Sequence, residues 1–216
     1  MSTMVATQAE VTTKTEVTPE ELLEMPDGGH YELIDGELKE RNVSLLSSRV
    51  AVSLARRLDI HCETHNLGWV VDAECGYACF PCKPGRIRRA DVSFIALDRL
   101  PSEEQRSHGY VTIPPDLAVE VVSPKDRVSE LDVKVDEYLK AGVKLIWIIY
   151  PETMKVQVWR GDGSVIPLRA GDELSGEDVL PGFRCKVEDL FPNLTAAVAQ
   201  EPTKSNSDSA SREPSN

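Results

Sequence analysis

The chain has 216 residues, 41% of them hydrophobic, with a net charge of −12 and five cysteines. That length and composition suit one soluble domain with a real core and loose ends. The acidity argues against a general nucleic-acid coat, which draws its affinity from a basic footprint, and the odd cysteine count excludes a complete internal disulfide framework.

No apolar stretch reaches the roughly 18 residues of a membrane helix, and the N-terminus has neither a basic start nor an apolar signal core. A cytoplasmic protein without membrane contact is expected. Residues 1–17 and the polar end QEPTKSNSDSASREPSN carry no helical or alternating order, so a disordered leader (1–17) and a disordered tail (193–216) are expected to flank a domain over 18–192.

Order is predicted to begin at TPEE, where Thr18, Pro19 and Glu21 have the spacing of a capping box. HYELIDGELKER follows as a hairpin turning at Asp35-Gly36. Apolar residues Leu45, Leu46, Val50, Leu54, Leu58 and Ile60 at three- and four-residue steps predict a long amphipathic helix. WVVDA, GYACF, DVSFIAL and LAVEVV are predicted strands, followed by a helix from about 129 to 141 ending at Gly142, then strands KLIWIIY and KVQVWR. This order predicts an α/β (α+β) fold with helices on the faces of a sheet.

Two carboxylates interrupt the apolar strands: Asp91 opens DVSFIAL and Glu120 lies inside LAVEVV. Either one alone fits a salt bridge. Together, with a neighbouring carbonyl, they supply the hard oxygen ligands that Mg²⁺ prefers. Phosphate chemistry at such a site also needs a cation. Lys134 is the candidate, because it falls among Leu131, Val135 and Tyr138 on the packed side of its helix, where lysines are uncommon. Lys125 and Arg127, in SPKDR, are candidates to face phosphate, and RIRR (86–89) is the one basic cluster able to dock DNA on so acidic a chain, through Arg86 and Arg88.

YELIDGEL, RRADVSFI, LAVEVVSPKDR and KVDEYLKAGVKLIWIIYP, in that order, resemble the Uma-two family of restriction-type endonucleases in the PD-(D/E)XK nuclease superfamily. The resemblance spans about 18–192. It implies a restriction-endonuclease-like mixed central sheet flanked by helices, and Mg²⁺- (or Mn²⁺-) dependent hydrolysis of DNA phosphodiesters. By it, Asp91 and Glu120 are metal ligands, joined by the main-chain carbonyl of Val121, and Glu32 matches an additional N-terminal acid. The chain departs from the superfamily pattern twice: Ala90 replaces the proline before the aspartate, and Val122 replaces the lysine two residues after the glutamate. Lys134 is then the migrated lysine.

A non-catalytic nucleic-acid- or protein-binding module on the same fold is the alternative. A third reading is a zinc staple made from Cys75, Cys79 and Cys82, with His61, Cys62 and His65 nearby in sequence. Paired DNA cuts would favour a homodimer.

Overall fold

The computed structural model describes residues 16–192, with 104 and 105 as backbone alone, and its first helix opens on the capping box. Thr18 Oγ1 accepts the Glu21 N–H at 3.2 Å and Glu21 Oε2 accepts the Thr18 N–H at 2.8 Å, satisfying two donors that a helix start leaves open. Helix α1 (Pro19–Glu24) follows. Strands β1 (Tyr31–Ile34) and β2 (Glu37–Glu40) pair antiparallel. Asp35 at φ 50° and Gly36 at φ 78° form the left-handed turn between them. The expected leader and tail lie outside the described residues except for Glu16 and Val17. Val17 donates its N–H to Gly36 O at 2.9 Å and packs against Leu22, Leu33 and Ile87.

Helix α2 (Leu45–His65) buries Val50, Leu54, Leu58 and Cys62 and stops at Asn66, which takes the left-handed conformation at φ 51°. Then come β3 (Gly68–Asp72), β4 (Val92–Ala96), the short α3 (Glu103–Ser107), β5 (Leu117–Val121), α4 (Val128–Ala141), β6 (Leu145–Tyr150), β7 (Lys155–Arg160) and β8 (Val165–Arg169). Their sheet runs β3-β4-β5-β6-β7-β8, with β5 and β6 parallel and every other neighbouring pair antiparallel. Helix α4 makes the crossover between the two parallel strands, as parallel pairing requires. A two-stranded ribbon, β9 (Glu173–Ser175) with β10 (Arg184–Lys186), closes the described chain. This is the expected mixed sheet flanked by helices.

Alternation along β5 decides which residues meet which helix. Leu117, Val119 and Val121 join the α2-side core with Leu54, Leu58 and Trp147. Ala118 faces the other way, into the core beneath α4 with Val135, Tyr138 and Ile148, and Glu120 shares its face.

GYACF is not a strand. Tyr77 bridges Arg88 on one side and Val111 on the other, so its backbone bonds are split between two partners and no ladder extends. β8, β9, β10 and α3 carry no clear signal in the sequence. β8 contains Pro167, opposite Gln157, and the other three are only 3 to 5 residues long, too short for a periodic signal.

Candidate metal and phosphate site

Asp91 stands one residue before β4, and the register Val92↔Val119 sets it opposite Glu120 across the antiparallel pair. Its N–H donates to Val119 O at 2.9 Å, and its Oδ2 accepts the Val121 N–H at 2.7 Å. One carboxylate oxygen is thus tied to the sheet, while the other, Oδ1, lies 2.8 Å from Arg41 Nη2.

Glu120 is 7% exposed. Lys134 and Tyr138, one turn apart on α4, both reach it: Lys134 Nζ is 2.7 Å from Oε2, and the Tyr138 hydroxyl donates to Oε1 at 2.9 Å. Lys134 also donates to Arg89 O at 3.1 Å and pairs with Glu32 Oε1 at 2.9 Å. Glu32 in turn accepts the Arg89 N–H at 2.8 Å and pairs with Arg88 Nη1 at 2.8 Å. Chain segments distant in sequence therefore place Glu32, Asp91, Glu120, Val121 and Lys134 on the wall of one cleft of about 610 Å³.

The two glutamates titrate in opposite directions. Burial pushes the Glu120 carboxyl up, Asp91 and Glu32 add to the effect, and Lys134 only partly offsets it, leaving the pKa at about 7. Burial would raise Glu32 too, but Lys134, Arg88 and the Arg89 N–H outweigh it and hold that carboxyl at about 2. For Lys134, burial works against the charged form, yet Glu120, Glu32 and Asp91 raise its pKa, so the ammonium persists.

The cleft lining carries nine carboxylates and seven basic side chains. One divalent cation would bring it to neutrality. Two opposed carboxylates and an adjacent carbonyl match the sparse, all-oxygen protein set on which Mg²⁺ completes its shell with water and phosphate. The raised Glu120 pKa points the same way, since a carboxylate that ionises with difficulty when buried is relieved by a cation. Such a set suits a divalent ion that takes most of its shell from water; among the described residues, no group of three or more His, Cys, Asp or Glu is gathered for a metal.

RIRR does not form an exposed basic surface. Arg86, Arg88 and Arg89 are 3%, 5% and 5% exposed, the first two drawn inward by acids and the third by backbone carbonyls. Arg86 pairs with Glu137 and, at 2.7 Å, with Asp35 Oδ2; Arg88 Nε pairs with Glu137 at 2.7 Å. The Arg89 side chain is taken up by the carbonyls of Tyr31 and Glu74. Arg127 lies at the cleft with 79% of its side chain exposed, and Lys125 is exposed on the same loop without lining the cleft.

The zinc staple is not supported either: among the described residues, no group of three or more His, Cys, Asp or Glu is gathered as a metal ion would need. All five cysteines are free. Cys79 packs in the α4-side core and Cys82 is exposed, whereas His61 lies across the molecule against Pro181 O and Phe183.

Arg41, Glu137 and Tyr138 were not recognised as site residues from the sequence. Tyr138 had a legible signal, the four-residue step from Lys134. Arg41 sits in the loop after β2, where nothing in the local pattern announces its partner.

A family model described as "Uma2: Putative restriction endonuclease" matches residues 19–188. Among solved structures, the chain is similar to the crystal structure of a putative nuclease belonging to DUF820 from Anabaena variabilis ATCC 29413, with 19% identity, a TM-score of 0.68 and coverage of 81% of this chain and 97% of that one. At that identity the likeness shows the fold. No curated protein matches the chain.

Proposed function

The chain belongs to the Uma2 family, described as putative restriction endonucleases, and from that premise we propose that it is a Mg²⁺- (or Mn²⁺-) dependent endonuclease hydrolysing DNA phosphodiester bonds. One observation carries the reading. The strand position that ordinarily supplies the cation is Val122, yet Lys134 Nζ arrives from α4 to within 2.7 Å of Glu120, so a positive charge is present beside the acids despite the substitution.

Asp91, Glu120 and the Val121 carbonyl would hold the ion. Bound there, it would polarise a phosphoryl oxygen and make a water acidic enough to attack. The remaining work belongs to the chain. Glu32, ionised throughout the neutral range, anchors Lys134 as a second acid beside Glu120, and Arg88 with the Arg89 N–H anchors Glu32. With Glu120 serving as a metal ligand, Lys134 would keep two tethers, Glu32 and the Arg89 carbonyl. So held in the cleft, its ammonium would face the reacting phosphate, where a fixed cation stabilises charge that grows in the transition state.

Arg86 and Arg88 neutralise Glu137, Asp35 and Glu32 in the cleft wall. Of the basic residues around RIRR and SPKDR, the exposed Lys125 and Arg127 are the ones left to meet DNA phosphates.

The test is cleavage of supercoiled plasmid with Mg²⁺ or Mn²⁺. We expect nicking that needs the ion and falls at least about a hundredfold in Asp91→Asn and Glu120→Gln. DNA binding without cleavage in the wild type would transfer the protein to the non-catalytic class. Activity surviving in both variants would place the site elsewhere.

A further inference from the structure

Arg41 is the cation that touches a proposed metal ligand and has no role so far. Its N–H is fixed to His30 O at 3.0 Å, at the end of the hairpin. Its side chain, 15% exposed, reaches Asp91 Oδ1 at 2.8 Å and Ala73 O at 3.5 Å while lining the cleft. Asp91 Oδ2 is already committed to the Val121 N–H, so Oδ1 is the oxygen an incoming ion would take, and Arg41 covers it. Lys134 covers Glu120 Oε2 in the same manner.

The two cations differ in what would hold them afterwards. Lys134 has Glu32 as a second acid at 2.9 Å. Arg41 has a backbone carbonyl at the edge of hydrogen-bond range and stands on a loop whose next residue, Asn42, makes an exposed bond to Asp126 at 2.9 Å. Displacing Lys134 is opposed by a buried charge pair, whereas displacing Arg41 is opposed by little beyond its bond to Asp91. A guanidinium released at the cleft wall is a planar fork suited to phosphate oxygens.

We propose that Arg41 is the resident counter-ion of Asp91, which yields that carboxylate to a divalent cation and then presents its guanidinium to the DNA phosphate. Metal and phosphate binding are coupled through one side chain: the ion frees the fork, and the fork adds a contact that exists only in the metal-bound protein. The inference rests on the nuclease reading and assigns it a residue.

The experiment is Mn²⁺ titration of the full chain by calorimetry, without DNA, for wild type, Arg41→Met and Arg41→Lys. Removing the competitor should tighten Mn²⁺ binding roughly fivefold or more, and Arg41→Lys, which restores the charge, should return it toward wild type. Melting temperatures exclude a merely structural effect: any gap between Arg41→Met and wild type in the metal-free state should shrink at saturating Mn²⁺. A duplex oligonucleotide bound in Ca²⁺ should lose affinity in Arg41→Met even though metal binding has improved. Unchanged or weaker Mn²⁺ binding in Arg41→Met, or a melting gap that Mn²⁺ leaves intact, overturns the proposal for Arg41 alone. Unchanged duplex affinity removes its phosphate role, and a wild type that binds no Mn²⁺ overturns both this inference and the nuclease reading.

Discussion

The two faces of the central sheet solve the same burial problem with different materials. Under α2 the contacts are aliphatic and aromatic, with Val50, Leu54 and Leu58 against Val119, Trp147 and Phe183, and no charge among them. Under α4 and the β1–β2 hairpin, the apolar core of Val135, Tyr138 and Ile148 gives way to Glu120, Lys134, Glu32, Arg88 and Glu137, each held by an opposite charge. A buried ion pair adds little net stability over an apolar contact, but losing one partner is costly. The α2 face is therefore organised for stability and the α4 face for poised charge.

The sharpest way to break this contrast is Lys134→Met, which swaps a charge for an apolar group of similar length. If the α4 face behaved like the α2 face, the change would be neutral. We expect instead a loss of about 3–5 kcal/mol in the metal-free protein, because Glu32 and Glu120 lose their shared cation. Mn²⁺ should recover part of it. Urea unfolding with and without Mn²⁺ measures this, and a neutral outcome would erase the distinction.

Leu54→Ala is the counterpart on the other face. A fully buried leucine truncated in a packed core costs about 2–5 kcal/mol. Here the stabilisation by Mn²⁺ should equal that of wild type; an ion increment that changes would mean the faces are coupled.

Acidity separates the two glutamates. Glu32, lowered from 4.5 to about 2, contributes stability above its unfolded value of 4.5 that is lost as the pH falls toward 2. Glu120, raised from 4.5 to about 7, contributes stability below 4.5 that is lost as the pH rises through 7. In metal-free protein, Glu120→Gln should remove the decline between pH 4.5 and 7, and Glu32→Gln the loss below 4.5. Denaturant midpoints across pH check both, and slopes identical to wild type would remove the assignment.

How much of this was legible depended on whether a residue's partner is local. The capping box at Thr18, the turn at Asp35-Gly36 and the helix stop at Gly142 are read within a few residues, and all formed. Asp91 and Glu120 stood out because a carboxylate within an apolar strand is anomalous by itself, and Lys134 because its helical neighbours are buried. Arg41 and Glu137 were opaque, since an arginine in a polar loop looks the same whether it meets water or an acid fifty residues away. The RIRR cluster failed for that reason: composition shows four residues with three cations, while their neutralising partners, Glu32, Asp35 and Glu137, come from the hairpin and α4.

Pro167 bears on how copies of this chain can associate. β8 is an outer strand of the sheet, and a proline has no N–H to give, so it fits at a position facing away from β7. That deletes a donor from the rim a second sheet would need for zipping on. Extension of the sheet from one molecule to the next is disfavoured along this border. Of the two borders of the six-stranded sheet, the one at β3, where Trp69 is half exposed beneath the Arg106 guanidinium, carries no such proline.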